Sequence, residues 1–171
     1  MKIIEALKKI KDLRRKSDDL KDKLKTYCAD MDCNTPTYPD QRGKIAEWLQ
    51  GHNDIIKEIA HLKLAIRRTN LMTLVPIEFE GTFVTKSICS WIDRRKELAK
   101  LQEDTYRSLT NKGMRDSSYQ VTTGAPIVPV KVIMYFDPNE RDKKIELYRS
   151  EPAKIDSTLE IINAVTELIE N

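Results

Sequence analysis

The fold is decided by residues 45–70, which read IAEWLQGHNDIIKEIAHLKLAIRRTN. Apolar residues recur there in steps of three and four, and such steps keep side chains on one face of an α-helix. The stripe then reaches Thr69 and Asn70, directly after Arg67 and Arg68, and all four residues carry hydrogen-bonding groups. These four residues either form a satisfied polar layer in a helical bundle or line a ligand site. The apolar stripe consists of Ile45, Trp48, Leu49, His52, Ile55, Ile56, Ile59, Leu62 and Ile66.

A first amphipathic helix is predicted over residues 2–32. Its stripe advances in steps of three or four residues that average about 3.5, the repeat of coiled coils. Pro36 and Pro39 end any helix, and Asp40 is a suitable N-cap for the helix that follows. Two long helices joined by a short loop predict an antiparallel helical hairpin over residues 1–72. The stripe consists of Ile3, Leu7, Ile10, Leu13, Ser17, Leu20, Leu24, Tyr27 and Met31.

An extended link and a third helix are predicted after the hairpin. The link, residues 73–84, alternates apolar and polar side chains, as is typical of a short strand. Thr85 then begins a helix over residues 85–113. Gly113 is well placed to end this helix in the left-handed conformation.

The C-terminal part is predicted to contain a loop with an edge strand and then a final helical segment. The loop and strand occupy residues 114–136, where Pro129 keeps the strand at a sheet edge. The final segment, residues 137–171, starts with an acceptor cap at Asp137 and a proline in the first turn. Pro152 is expected to kink or break this helix.

Composition indicates long exposed helices that self-associate. The 171 residues suffice for one domain, but 33% are charged, 6% are aromatic and only five are glycine. Long, highly charged helices leave apolar surface uncovered in a monomer, so an oligomeric helical bundle is expected. The predicted fold is therefore mainly α: a long antiparallel helical hairpin plus two further helices with short β links, in a single helical domain of residues 1–171.

Other sequence features predict a cytoplasmic protein without a metal, a cofactor or a membrane partner. The three cysteines, Cys28, Cys33 and Cys89, lack the Cys-x-x-Cys spacing of metal and redox sites. No apolar run approaches the roughly 20 residues that span a bilayer. The chain begins with a charged amphipathic helix instead of an apolar signal region.

Arginine residues provide the strongest candidate site. Arginine binds phosphate and carboxylate bidentately, while Thr and Asn can orient a base or a ribose. If the two arginine segments meet, the site suits an anionic small molecule, with a nucleotide as the leading candidate. The alternative is that the arginines pair with Glu78, Glu80 or Asp93 and cap the bundle. The candidate ligand-binding residues are Arg67, Arg68, Thr69, Asn70, Arg94 and Arg95.

Catalysis receives little support from the sequence. The two histidines, His52 and His61, are nine residues apart, which places them on opposite faces of the second helix. They therefore cannot share a metal ion. No phosphate-binding glycine loop, nucleophile elbow or paired-carboxylate pattern is present.

The first helix is basic, but its charge pattern disfavours nucleic-acid binding. Asp12 interrupts its lysines and arginines, and Asp18, Asp19 and Asp22 follow closely. A face that follows a phosphate backbone would avoid such carboxylates.

Three segments together resemble a known family. They are Ile66–Asn70, the stretch from Thr85 into Ile92–Leu98, and a terminal series that includes Asp137, Leu147, Ile155, Asp156, Leu159 and Asn163. They are similar to the septicolysin-like helical family of small, mostly uncharacterised bacterial and viral proteins. The resemblance implies a helical, oligomeric cytosolic protein whose polar motifs meet in space. This chain departs from the family at Lys96, where an acidic residue is expected, and at Pro152.

The function predicted from these features is a non-catalytic homo-oligomer that binds an anionic small ligand. In a virus, such an oligomer would act as a sponge that sequesters a host signalling nucleotide. Two alternatives stay open: a structural or protein-interaction assembly without a ligand, and an enzyme whose site is assembled from dispersed residues.

Overall fold

The computed structural model describes residues 1–120, 123–124 and 126–169. This part of the chain is mainly helical with two small antiparallel sheets, which confirms the predicted mainly α class. In chain order the elements are α1 (Ile3–Tyr27), α2 (Gln41–Met72), β1 (Leu74–Phe79), β2 (Thr82–Ser87), α3 (Ile88–Asp93), a π-helical turn (Arg94–Leu98), α4 (Ala99–Arg107), β3 (Ser117–Tyr119), β4 (Val128–Val130) and α5 (Pro138–Val165).

These elements group into two compact units. The first comprises Met1–Cys89 together with the C-terminal stretch that starts at Thr158, and the second comprises Ser90–Ser157. That residues 1–171 form a single domain stays a prediction.

In the first unit, α1 and α2 pack side by side in opposite directions. Gln41, at the start of α2, donates a 2.8 Å hydrogen bond from Nε2 to the carbonyl oxygen of Tyr27, at the end of α1. Further along, Lys9 Nζ lies 2.6 Å from Glu58 Oε1. The buried apolar residues of the two helices are Ile3, Ala6, Ile10, Leu13, Trp48, Ile59, Leu62 and Ala65.

The loop between α1 and α2 starts earlier than predicted. The predicted end of α1, beyond Met31, is wrong: the helix ends at Tyr27 and Met31 is 73% exposed. Asp30 contributes to this end because its side chain accepts a 2.8 Å hydrogen bond from the backbone of Met31, an alternative to helical bonding. At the start of α2, Asp40 Oδ1 accepts a 2.8 Å hydrogen bond from the Gly43 amide, so the predicted cap is confirmed.

A β-hairpin occupies the segment predicted to be a link and a helix start. β1 pairs antiparallel with β2, and Thr85 lies opposite Pro76. Between the strands, Glu80 and Gly81 have φ angles of 50° and 78°, as a two-residue hairpin turn requires. The predicted helix start at Thr85 is wrong because this turn folds the segment into β2, and helix begins only at Ile88.

The third helical segment also ends earlier than predicted. Its last residue is Arg107, and the Ser108 amide closes the helix with a 3.1 Å bond to the carbonyl oxygen of Asp104. Gly113 has the expected left-handed conformation, with φ of 73°. It lies in a separate turn, however, where its amide donates to Asn111 Oδ1 at 3.0 Å, and the predicted helix end at this glycine is wrong.

In the second unit, α5 continues through Pro152 without a break. Of the predicted kink or break, the break is wrong: on either side of the proline, Glu151 is paired with Arg94 and Ile155 is completely buried. The kink stays a prediction. The predicted cap at Asp137 is present, since its Oδ1 accepts a 2.8 Å hydrogen bond from the amide of Asn139.

The second small sheet is shorter than the sequence indicated. β3 and β4 each have three residues, and Ser118 lies opposite Pro129 in the antiparallel register. The strand was predicted over residues 128–136, but residues 131–136 form no strand. Part of the predicted loop and the end of the predicted C-terminal segment lie outside the described residues: Val121, Thr122, Ala125, Glu170 and Asn171.

Candidate anion-binding groove

A groove of about 360 Å³ lies between α1 and α2 in the first unit. Its lining residues are three or four positions apart on each helix and therefore share a face. Apolar side chains form its floor, where Ile10 is buried and Ile66 is half-buried, and exposed cationic side chains form its walls. The lining residues are Leu7, Ile10, Lys11 and Arg14 of α1 and Lys63, Ile66 and Arg67 of α2.

Four cationic side chains line this groove, and the groove provides no carboxylate to balance them. Some other basic residues of the first unit are paired, as Lys9 is with Glu58. Within residues 1–120, 123–124 and 126–169, by contrast, none of the four groove cations has an ion pair or a side-chain hydrogen bond. The groove cations are Lys11, Arg14, Lys63 and Arg67.

This unbalanced charge defines what the groove can bind. Like charges around one concavity repel each other and create a positive potential that attracts anions. The volume falls within the range of about 300–1,000 Å³ that is typical of small-molecule sites. Two guanidinium groups can each hold phosphate oxygens through two parallel hydrogen bonds, and two ammonium groups add point charges.

The four predicted site residues at the end of α2 have different environments. Arg67 lines the groove, and Arg68 is exposed. Thr69 is 1% exposed and its hydroxyl makes two hydrogen bonds within the chain: it donates to the carbonyl oxygen of Ala65 and accepts from the amide of Ile169, both at 2.9 Å. Asn70 Oδ1 is buried and has no hydrogen-bond partner among the residues that the structure describes.

Arg94 and Arg95 lie in the second unit and are both paired with carboxylates of α5. Arg94 makes a two-point contact with Glu151, at 2.6 Å from Nε and 3.0 Å from Nη2, and it lies 5.4 Å from the ring centroid of Tyr148. Arg95 pairs with Asp156. Both arginines lie at the start of the π-helical turn. Their partners differ from the carboxylates that the sequence suggested.

A second charged cluster in this unit surrounds Glu103, which is only 6% exposed. Its carboxylate lies 2.7 Å from Arg107 and 3.4 Å from both Lys100 and Arg149. The hydrogen bond from Arg107, aided by the charge of Lys100, lowers the pKa of Glu103 below its ordinary value of 4.5. Desolvation, with a smaller contribution from Tyr106, raises the pKa of the Tyr148 phenol. The carboxylate already has cationic partners, so this cluster connects α4 to α5.

Sequence reasoning identified one of the four groove cations, Arg67, as a ligand residue. It treated Lys11 and Arg14 as part of a basic helix and passed over Lys63. The predicted antiparallel hairpin already implied that these cations lie close together, because it brings the first half of α1 beside the second half of α2. Combining the cations of both segments would have identified the groove.

Two negative findings apply to the described part of the chain. It contains no group of three or more His, Cys, Asp or Glu side chains arranged to hold a metal ion. None of its helices combines the length and the apolar character that crossing a membrane requires.

Comparison with known proteins identifies a shared fold. No protein-family model matches the chain, and no curated protein matches it. A crystal structure of a functionally unknown conserved protein from Corynebacterium diphtheriae is similar, with a TM-score of 0.55 and 20% sequence identity. The alignment covers 99% of each chain. At this level of identity the similarity concerns the fold alone, and it extends over both units.

Proposed function

We propose that this protein is a non-catalytic binder of an anionic small ligand, which it holds in the groove between α1 and α2. The observation that carries the proposal is the set of four cationic side chains without an ion pair among the described residues. A binding protein that uses charge and shape needs no group with a tuned pKa.

The ligand class that fits this groove best is a polyphosphate, with a nucleotide as the leading candidate. Four positive charges favour a ligand with several negative charges over a monocarboxylate. Leu7 and Ile66 provide aliphatic surface on which a sugar or a base can pack. The lining includes no aromatic ring, so the phosphates contribute most of the affinity and the base contributes little.

The proposed ligand set differs from the one that the sequence indicated. Arg67 is retained, and Lys11, Arg14 and Lys63 join it. Thr69 is assigned a structural role, because its hydroxyl donates one hydrogen bond and accepts another within the chain.

We further propose that the protein acts as a cytoplasmic homo-oligomer that sequesters its ligand. Exposed apolar residues on α2 support self-association, as do the long charged helices. The resemblance to the septicolysin-like family agrees with an oligomeric helical protein. In a viral setting, sequestration would lower the free concentration of a host signalling nucleotide.

A structural or protein-interaction role is the second candidate function. Two ion pairs of the second unit favour this role: Arg94 is paired with Glu151, and Arg95 is paired with Asp156. These arginines are therefore better explained as packing elements than as ligand residues.

Isothermal titration calorimetry with inorganic triphosphate, ATP and adenosine tests the binding proposal. Triphosphate and ATP should bind and adenosine should not, and the affinity should fall as salt is added. Lys63→Ala and Lys11→Ala should each weaken binding about tenfold, the loss expected for one charge-assisted hydrogen bond.

Lys57→Ala is the matched control for these variants. Lys57 lies on the same helix as Lys63, outside the groove lining, and its side chain is 75% exposed. This variant should bind like wild type. Equal affinity for ATP in all three variants would show that the groove is not the site.

A further inference from the structure

The solvent-facing side of α2 carries a second stripe, separate from the buried one. Its four large apolar residues are 46–62% exposed. The residues recur in steps of three and four that average about 3.7, close to the 3.6 residues per turn of a straight α-helix. The stripe therefore stays on one face for about 33 Å at 1.5 Å per residue. It consists of Leu49, Asn53, Ile56, Ala60, Leu64, Arg67 and Leu71.

The apolar residues of this stripe are arranged symmetrically about Ala60. Ile56 and Leu64 lie four residues before and after it, and Leu49 and Leu71 lie eleven residues before and after it. If a second α2 packs antiparallel with Ala60 opposite Ala60, Ile56 faces Leu64 and Leu49 faces Leu71. Apolar side chains then meet apolar side chains along the whole contact. The small alanine at the centre allows the two backbones to approach closely.

The two polar residues of the stripe follow the same symmetry. Asn53 and Arg67 lie seven residues before and after Ala60. Both are exposed, and neither has an ion pair or a side-chain hydrogen bond among residues 1–120, 123–124 and 126–169. In the antiparallel arrangement the Asn53 amide oxygen faces the Arg67 guanidinium of the other copy and can accept a hydrogen bond from it.

We propose that a second copy of this chain docks antiparallel on the outer stripe of α2, with the twofold axis at Ala60. A twofold interface must be self-complementary, because each residue that contacts a different residue is contacted by it in return. The symmetric order of apolar, polar and small residues satisfies this requirement. A parallel arrangement would instead place Arg67 against Arg67. This inference rests on the self-association part of the proposed function, and Arg67 is the residue that the stripe shares with the groove.

Light scattering coupled to size-exclusion chromatography, at tens of micromolar protein, tests the interface. Wild type should be a dimer or a larger assembly that contains this dimer. Ile56→Asp should lower the subunit number and raise the dissociation constant of the dimer about 100-fold. The twofold symmetry places the new carboxylate at two positions of the apolar interface.

Ile161→Asp is the control, since Ile161 is 66% exposed on a different helix, α5. This variant should retain the wild-type mass, and circular dichroism should show intact helix in both variants. A monomeric wild type would overturn the interface and the proposed self-association together. Unchanged assembly in folded Ile56→Asp would overturn the interface alone.

Asn53→Asp distinguishes the two possible orientations. In the antiparallel dimer the new carboxylate faces Arg67, and two such pairs should tighten association about three- to tenfold. In a parallel dimer the carboxylates would face each other and weaken it. Weaker association of Asn53→Asp would therefore overturn the proposal. Lys63→Ala removes a groove cation that is not part of the stripe, and it should retain the wild-type mass, which keeps this test separate from the groove.

Discussion

A single hydroxyl group joins two distant parts of the first unit. Thr69 Oγ1 donates to α2 itself and accepts from the amide of Ile169, one hundred residues later in the chain. The residue before Ile169 contacts the N-terminus in turn: the Leu168 amide donates a hydrogen bond to the carbonyl oxygen of Met1 at 2.8 Å. A polar residue at the end of an apolar stripe is explained here by a hydrogen bond within the chain.

Thr69→Val should destabilise the protein by about 1–3 kcal/mol, because valine keeps the shape and leaves the part-buried Ile169 amide without its acceptor. Urea unfolding followed by circular dichroism measures this loss. Thr69→Ser, which keeps the hydroxyl, should lose less. Affinity for ATP should be unchanged in Thr69→Val, and a large loss of affinity with unchanged stability would instead make Thr69 a ligand residue.

The sequence could indicate that Thr69 is buried, but it could not identify its partner. Helical spacing places Thr69 on the buried face of α2, whereas Ile169 follows the last helix and shares no pattern with it. The partner of Arg94 could not be identified from the sequence either. Its partner Glu151 is 57 residues away, and the carboxylates nearest in sequence were the wrong ones.

At the scale of elements, regular helices were predictable and their boundaries were not. The apolar stripe identified α2, and Asp40 marked its start correctly. The β-hairpin was missed because its turn, Glu80-Gly81, uses a non-glycine residue at positive φ, which sequence alone rarely reveals. The outer stripe of α2 was also missed, because two of its residues, Leu49 and Ile56, were assigned to the buried stripe. That assignment is wrong, since these side chains are 49% and 48% exposed.

The contact between α4 and α5 should make the second unit sensitive to acid. The pKa of Glu103 is lowered in the folded protein, so the unfolded state binds more protons when the pH falls below about 4.5. The stability that this carboxylate contributes is present above that value and is lost as the pH falls through the lowered pKa. Melting temperatures measured between neutral and strongly acidic pH should show this decline.

Glu103→Gln should melt at a lower temperature than wild type at neutral pH and should show a shallower decline in acid. Glu160→Gln, at an exposed carboxylate of α5, serves as the control and should follow the wild-type curve. Identical acid profiles for Glu103→Gln and wild type would show that the Glu103 cluster does not link α4 to α5.

At the scale of the whole molecule, the chain forms two compact units whose most prominent charged sites differ. In the second unit, the prominent buried charges have partners, as Arg94 and Glu103 do. In the first unit, the groove cations lack ion pairs among the described residues, and the outer face of α2 exposes large apolar side chains. Binding surfaces are therefore expected on the first unit, with the anion and the second copy both contacting α2.

Under the proposed function, this protein binds a nucleotide without changing it. The most direct measurement incubates a stoichiometric excess of protein with a nucleotide pool, removes the protein by filtration, and then heat-denatures the retained protein and analyses the released nucleotides by chromatography. The nucleotide should be depleted from the filtrate and fully recovered as the intact compound after denaturation, and depletion should be smaller with Lys63→Ala. Cleaved or transferred product, or a filtrate that retains all of its nucleotide, would contradict the proposed function.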